Sequence, residues 1–188
     1  MHSTEFPSAV ASFRPRRTVG RDYCNPASKT ALRVPAGTPK LRTFLVALVL
    51  AFLPAVTGIM FAPDAWYSGL VKAPWHPADW LFGPVWTILY LLSAIASWQV
   101  FNKAGTVESN DMGFYAWHLI FSGLWSALFF GLHSPRLALL DIILLTLALV
   151  GTIWQFRRRS AKAARLMIPS LLWVVFAASL NFYVVLAN

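Results

Sequence analysis

The sequence is poor in charged residues and in cysteine. Only 12% of its 188 residues are charged and only seven residues are acidic, whereas 57% are hydrophobic. A water-soluble domain typically has about 25% charged residues, so an ordinary soluble domain is excluded. The high hydrophobic content also excludes a disordered chain. The single cysteine, Cys24, rules out a disulfide framework, a CxxC redox motif and a thiolate metal site within one chain.

Motifs for catalysis and for nucleic-acid binding are also missing. The formal net charge is +9, but the basic residues flank apolar runs and no nucleic-acid-binding motif accompanies them. No HExxH, GxSxG, Walker or Rossmann pattern occurs. We interpret His76 and His118 as hydrogen-bonding side chains and expect Asp141 to reach the membrane interface. No metal, obligatory cofactor, catalytic residue or nucleic-acid partner is assigned.

Long apolar runs are what the sequence has in abundance. Five stretches of about 20 residues carry almost no charge, and this is the length that crosses roughly 30 Å of hydrocarbon. They are residues 43–62, 81–102, 114–133, 137–156 and 166–186. The sequence therefore predicts an all-α, multi-pass membrane protein in a bacterial or organellar membrane, with a five-helix transmembrane domain at 41–188.

The basic residues predict the orientation of these spans. Cytoplasmic loops carry an excess of Lys and Arg. Fourteen of the sixteen basic residues would lie on the side of the N-terminus, and only Lys72 and Arg136 on the other side. We therefore expect the N-terminus on the positive, cytoplasm-like side. Residues 1–40 are predicted to form a basic disordered tail or an organellar transit segment.

A tryptophan-rich segment, residues 63–80, joins the first two spans and is called the lid below. It contains Trp66, Trp75 and Trp80 together with Lys72 and His76. An interfacial aromatic belt needs only one or two aromatic residues at a helix end, and Pro74 and Pro77 restrict the backbone of this segment. We interpret the lid as a preorganised aromatic cover over a cavity, with an aromatic belt as the alternative.

Polar and aromatic residues recur at helical spacing in the second, third and fifth spans. Polar groups inside a bilayer usually face other helices or a cavity, so we expect these three faces to meet in a common interior. Ordinary hydrogen bonding between helices is the alternative. The candidate ligand-binding residues of the lid and these faces are Trp66, Trp75, Trp80, Trp86, Tyr90, His118, Ser122, Trp125, Trp173, Ala177 and Asn181.

Small residues form a second stripe on the third span. Gly123, Ala127 and Gly131 repeat every four residues, and such spacing lets two helices approach closely. At about 100° per residue this stripe lies nearly opposite the polar face. The stripe therefore predicts the interface of a homodimer.

These features together resemble the TspO/MBR family, the translocator or tryptophan-rich sensory proteins, also called peripheral-type benzodiazepine receptors. The resemblance extends from the first span to Asn188. It is carried mainly by Trp66-Tyr67, Leu70, Lys72, Trp75, Pro77, Trp80, Phe82-Gly83-Pro84-Val85-Trp86-Thr87 and Leu89-Tyr90. In the family's sterol-recognition motif a Lys or Arg follows the tyrosine, but none follows Tyr183 here.

The resemblance implies a five-helix protein, usually a dimer, that binds tetrapyrroles such as protoporphyrin IX and, in some members, sterols or benzodiazepine-type drugs. A tetrapyrrole needs aromatic walls and a cation for its propionates, and Lys72 or His76 can supply that charge at the rim. The expected role is sensory, regulatory or transport. The alternatives are an enzyme that degrades porphyrin with light or oxygen, and a transporter of sterols or lipids.

Overall fold

The structure, a computed structural model, describes residues 32–33, 40–104, 106–107 and 109–188. Its helices are α1 (Lys40–Met60), α2 (Ala65–Gly69), α3 (Phe82–Ala104), α4 (Ser109–Ser126), α5 (Pro135–Arg159) and α6 (Ala161–Ala187). A 3₁₀ turn, Asp79–Leu81, precedes α3, and a π-helix, Ala127–Gly131, continues α4. Two short strands, β1 (Leu32–Arg33) and β2 (Thr106–Val107), pair antiparallel. The predicted tail lies almost wholly outside the described residues.

Five helical segments are long and apolar enough to cross a membrane, as the sequence predicts. They are Lys40–Met60, Asp79–Asn102, Met112–Gly131, Pro135–Arg159 and Ala161–Ala187. The last helix begins well before residue 166 because Ser160 caps it, its hydroxyl accepting the backbone N–H of Ala163 at 3.3 Å. The basic residues of this connection are therefore helical and extend α5 and α6 beyond their apolar runs.

The five long helices form a closed ring. Its order is α1, α3, α6, α5 and α4, and α4 packs against α1 to complete it. The side formed by α4, α5 and α6 is filled by a core that includes Tyr115, Ile142, Leu149, Phe156 and Met167. The opposite side, between α1, α3, α4 and α6, contains the cavity described below.

The small-residue stripe on α4 packs inside the chain. A Cβ atom added to Gly123 would lie 3.3 Å from Thr57 Oγ1, and one added to Gly131 would lie 2.7 Å from the ring of Phe61. The Thr57 hydroxyl also donates to the carbonyl of Gly123 at 2.9 Å. The assignment of Gly123 and Gly131 to a subunit interface is therefore corrected, because α1 covers Gly123 and Phe61, just beyond α1, covers Gly131. Ala127 between them is half-buried. A homodimer stays a prediction.

Candidate functional site

An apolar cavity lies between α1, α3, α4, α6 and the lid. Its volume is about 430 Å³, which falls within the roughly 300–1,000 Å³ of small-molecule pockets. Most of its wall is aromatic or aliphatic. The lining residues are Phe52, Ala55, Gly58, Ile59, Pro63, Tyr67, Lys72, His76, Asp79, Phe82, Gly83, Trp86, Thr87, Tyr90, Ser122, Trp125, Ser126, Phe129, Phe130, Ala177, Leu180, Asn181 and Val184.

Eight of the residues singled out from the sequence meet around this cavity. Helices α3, α4 and α6 contribute six of them, and the lid contributes the two candidate rim residues. They are Trp86, Tyr90, Ser122, Trp125, Ala177, Asn181, Lys72 and His76. The expectation that polar faces of three spans share one interior is therefore met by these residues.

Trp125 forms the wall on α4, and its ring is fixed on two sides. It stacks on Phe129 with centroids 5.0 Å apart and planes 18° apart, and it meets Phe130 edge-on. Its indole N–H donates to Asn181 Oδ1 at 3.2 Å, while Asn181 Nδ2 donates to the Pro135 carbonyl at 2.8 Å. This chain of bonds ties α4, α6 and the start of α5 together and orients the indole ring.

The opposite wall belongs to α3 and α1. Trp86 and Tyr90, one turn apart on α3, have ring centroids 5.5 Å apart, and Tyr90 also packs against Phe52 of α1 at 5.6 Å. Ser122 of α4 also lines the cavity and is only 4% exposed. Its hydroxyl has no hydrogen-bond partner within the described part of the chain, so this polar group is available at the cavity wall.

At the lid end of the cavity, four polar side chains form one network. The Tyr67 hydroxyl donates to Asp79 Oδ1 at 2.9 Å and lies 2.9 Å from His76 Nε2. Because a tyrosine has one hydroxyl proton, His76 Nε2 is the donor in the second bond. Lys72 Nζ lies 3.3 Å from Asp79 Oδ2 and 3.8 Å from the centroid of the Tyr67 ring.

The network has clear electrostatic consequences. Burial, together with the bond to Asp79, raises the pKa of Tyr67 above its ordinary value of 10.0, so its hydroxyl stays protonated. Burial also lowers the pKa of His76 below 6.5, an effect that the Asp79 charge opposes and the Lys72 charge reinforces. At neutral pH the lid end therefore carries one ammonium, one carboxylate and a neutral imidazole.

The start of the lid is held by Asp64. Its carboxylate caps α2 by accepting the backbone N–H of Tyr67 at 3.1 Å and lies 3.0 Å from His133 Nε2. The bond from the Tyr67 N–H is the main cause that lowers the pKa of Asp64. His133, in a left-handed conformation with φ of 47°, stacks on Trp66 at 4.5 Å. These contacts connect the lid to the turn between α4 and α5.

A second anchor joins the lid to the end of α6. Asn188 Oδ1 accepts the backbone N–H of Val71 at 3.0 Å, and Asn188 Nδ2 donates to the Val71 carbonyl at 3.3 Å. One side-chain amide thus pairs with both polar groups of a single lid residue. The lid is consequently fixed at both its α2 end and its middle.

The three lid tryptophans do not line the cavity, which corrects their predicted placement. Trp75 and Trp80 are 51% and 71% exposed, and Trp75 packs edge-on against Tyr183. Trp66 packs against Phe129 and His133 instead. Neighbouring positions on a helix are about 100° apart, so α2 turns Tyr67 and not Trp66 towards the cavity. Trp75 and Trp80 match the alternative of an interfacial aromatic belt.

Trp173 and His118 also lie elsewhere. Trp173 lines a shallow groove on the outer face of α3 and α6, beside Leu172 and Phe176. Every four residues of a helix advance by about 400°, which is about 40° more than a full turn. Two such steps separate Trp173 from Asn181, so the two side chains point about 80° apart and the indole lies outside the cavity. His118 is 4% exposed and packs against Tyr115 inside the core.

Asp141 is buried rather than interfacial. It is 3% exposed on the core side of α5, and neither carboxylate oxygen has a hydrogen-bond partner among the residues that the structure describes. The expectation that it reaches the interface is wrong, because its position places it on the same face as Ala138 and Ile142. It does not line the cavity.

Sequence reasoning missed three cavity residues in the lid, Pro63, Tyr67 and Asp79, and the whole contribution of α1. Asp79 carried a usable signal, since it is an acid seven residues after Lys72 in a segment with no other acid beyond Asp64. Tyr67 was hidden by its neighbour Trp66. The lining residues of α1, such as Phe52 and Ile59, lie in an apolar run in which the polar residue Thr57 bonds Gly123 of α4 and does not line the cavity.

Comparison with known proteins agrees with this architecture. Residues 43–186 match the TspO/MBR family. The chain is 37% identical over 154 residues to the tryptophan-rich protein TspO of Chlorobaculum tepidum, covering 79% of this chain and 98% of that protein. It is 36% identical to the tryptophan-rich sensory protein of Cereibacter sphaeroides, over 74% of this chain and 87% of the relative. The human translocator protein is 35% identical over 63% of this chain and 72% of its own length. With five membrane-spanning helices and a match over most of its length, this chain is a multi-pass membrane protein of the TspO/MBR family.

Proposed function

We propose that this chain binds a tetrapyrrole of the protoporphyrin type in the cavity beneath the lid. The observation that carries the proposal is the cavity itself, an aromatic-walled space of about 430 Å³ with Lys72 at its lid end. The resemblance to the TspO/MBR family points to the same ligand class. The role that follows is sensing, regulation or transport of that ligand across or within the membrane.

The physical match is between a flat apolar disc and two aromatic walls. Trp125 and Phe129 border the cavity from α4, while Trp86 and Tyr90 border it from α3. Offset or edge-on contacts with aromatic rings stabilise such a disc beyond its area burial. The apolar macrocycle occupies the membrane-embedded part of the cavity, and its propionates point to the lid.

The lid end supplies the only cation among the described lining residues at neutral pH. Lys72 is 24% exposed on its side chain, so its charge is partly withdrawn from water and acts more strongly on a nearby carboxylate. A sterol would fit the apolar walls but has no acid group for this lysine. Lys72 therefore favours an acidic tetrapyrrole over a neutral sterol.

Titration of the purified protein with protoporphyrin IX tests this function. We expect saturable binding of about one porphyrin per chain, read from the shift of the porphyrin absorption band and from quenching of the nine tryptophans. Cholesterol should compete weakly. Linear, non-saturating quenching equal to that of empty detergent micelles would refute the proposal.

Two further measurements separate the roles open to a binding protein. A porphyrin converted to a chemically distinct product under light or oxygen would make the protein an enzyme. Net porphyrin flux into proteoliposomes would make it a transporter. Saturable binding with neither result is what we expect of a sensory or regulatory protein.

A further inference from the structure

We propose that Asp79 is a built-in competitor for the ligand's acid group, so that a ligand carboxylate binds Lys72 only by displacing the carboxylate of Asp79. This inference rests on the proposed function. It concerns a residue that determines specificity rather than the walls that provide contact area. Its consequence is that the natural side chain at position 79 weakens binding of acidic ligands.

The first step is that Lys72 already has an anionic partner. Its ammonium lies 3.3 and 3.5 Å from the two carboxylate oxygens of Asp79. On its other side it lies over the ring of Tyr67, with 3.8 Å to the centroid. A ligand carboxylate cannot form a close ion pair with this ammonium while Asp79 is paired with it.

The second step is that Asp79 can give up Lys72 at small cost. The Asp79 side chain is 57% exposed, whereas that of Lys72 is 24% exposed, so the anion is the outer member of the pair. If a ligand carboxylate displaces it, Asp79 keeps the hydrogen bond from the Tyr67 hydroxyl at 2.9 Å. Because it stays hydrated and hydrogen-bonded, it is not left as a buried, unpaired charge.

The third step is the charge balance that a ligand meets. Among the described residues that line the cavity, Lys72 and Asp79 are the charged ones at neutral pH, since His76 is held neutral by burial. Their charges offset each other, so Asp79 weakens the attraction that Lys72 offers to an approaching dianion until the ligand carboxylate displaces it. Asparagine at position 79 would remove the repulsion and release the ammonium, while its amide oxygen could still accept the bond from Tyr67.

A pair of ligands and a double-mutant cycle test the exchange. Protoporphyrin IX and its uncharged dimethyl ester are titrated against the wild type, Asp79→Asn, Lys72→Met and the double variant. We expect Asp79→Asn to tighten binding of the acid by about 1.5- to 5-fold, the range for a partly exposed ion pair, and to leave binding of the ester unchanged. In the Lys72→Met background the same substitution should give at most the smaller gain from lost repulsion.

Asp64→Asn is the matched control. Asp64 is the other acid of the lid, but it bonds Tyr67 N–H and His133 and does not line the cavity. Its replacement removes the same formal charge as Asp79→Asn does. Because Asp64 does not line the cavity, the ratio of acid to ester affinity should stay unchanged. An equal rise of this ratio in Asp64→Asn would show a general charge effect and overturn the inference.

The outcomes distinguish this inference from the proposed function. If the wild type binds neither porphyrin, the proposed function fails and the inference fails with it. If the wild type binds both, but Asp79→Asn leaves their affinity ratio unchanged or raises it equally without Lys72, the exchange is wrong while tetrapyrrole binding stands. The ester also controls for misfolding, because both ligands need the same folded walls.

Discussion

Asn188 shows how one side chain at the end of α6 can control the lid. Its amide both accepts from and donates to the backbone of Val71. Each such hydrogen bond contributes about 0.5–1.5 kcal/mol, so Asn188→Ala should let the middle of the lid open more often. We expect faster hydrogen exchange at the Val71 amide. Ser179→Ala is the control, because the Ser179 hydroxyl donates to the Phe176 carbonyl of its own helix. This variant should leave the exchange rate of the Val71 amide unchanged. Equal acceleration in both variants would contradict the anchor.

His76 makes the stability of the lid depend on pH. Burial holds the pKa of His76 in the folded protein below its ordinary 6.5, so the unfolded chain takes up a proton more readily than the folded one. Stability is therefore lost as the pH falls through the unfolded value. Thermal melting between about pH 7 and about pH 5.5 should show a steeper decline for the wild type than for His76→Gln.

Glutamine is the informative replacement because its amide can still donate to the Tyr67 hydroxyl without titrating. Neither Tyr67 nor Asp64 interferes, and the pKa of Tyr67 lies above 10.0 because the side chain is buried. The Tyr67 backbone bond lowers the pKa of Asp64 below 3.8, so Asp64 titrates under more acidic conditions. Parallel melting curves for the wild type and His76→Gln across this range would show that His76 is not held neutral.

At the scale of elements, the contact between α1 and α4 depends on the absence of a side chain at Gly123. A Cβ there would lie 3.3 Å from Thr57 Oγ1 and 3.5 Å from the backbone of Pro54. Gly123→Val should therefore force the helices apart at a cost of about 1–3 kcal/mol, typical of overpacking. Thermal melting in detergent measures the loss.

Gly113→Val is its control on the same helix. Among the residues that the structure describes, nothing lies within 4 Å of a Cβ added at Gly113. This variant therefore carries the same change of residue type without the clash. The melting temperature should fall in Gly123→Val and stay close to wild type in Gly113→Val. Similar losses in both would place the effect in helix propensity instead of the contact between α1 and α4.

The helices themselves could be predicted from the sequence, whereas the directions in which they face could not. The existence of a membrane span follows from local composition, because a long apolar run indicates a membrane helix. The direction in which a side chain points depends on rotation angles that accumulate along the helix. Trp173 drifts out of the cavity over two turns from Asn181, and the π-helix Ala127–Gly131 changes the spacing that a regular α-helix assumes for Gly131.

The candidate site was predictable mainly where polar or aromatic residues recur at helical spacing. Ser122, Trp125 and Asn181 interrupt apolar runs, and all three line the cavity. The α1 wall has no such mark, and its identity depends on which helices become neighbours in the ring. That pairing is set by contacts between residues far apart in sequence, such as Thr57 with Gly123, which no local pattern reveals.

At the scale of the whole molecule, five spans place the two ends on opposite sides of the membrane. With fourteen of sixteen basic residues on the side of the N-terminus, the positive-inside rule puts that side in the cytoplasm-like compartment. Cys24, which lies outside the described residues, is the single thiol. In sealed vesicles of known orientation it should react with an impermeant maleimide from the positive face; reaction only from the lid face would invert the topology.

The lid and the turn between α4 and α5 then share the face opposite to the basic connection between α5 and α6. A ligand that enters beneath the lid approaches from that face or laterally from the bilayer. The anchors at Asp64 and Asn188 both hold the lid on that face.

The most direct test of tetrapyrrole binding compares two tryptophans on α4. Trp125 lines the cavity, whereas Trp117 lies on the outer face of the same helix and is 54% exposed. Trp125→Ala should weaken protoporphyrin IX by about 5- to 150-fold, since loss of a stacked aromatic costs about 1–3 kcal/mol by analogy with base stacking. Trp117→Ala should bind as the wild type does. Unaltered affinity in Trp125→Ala, or equal losses in both variants, would contradict the cavity as the binding site.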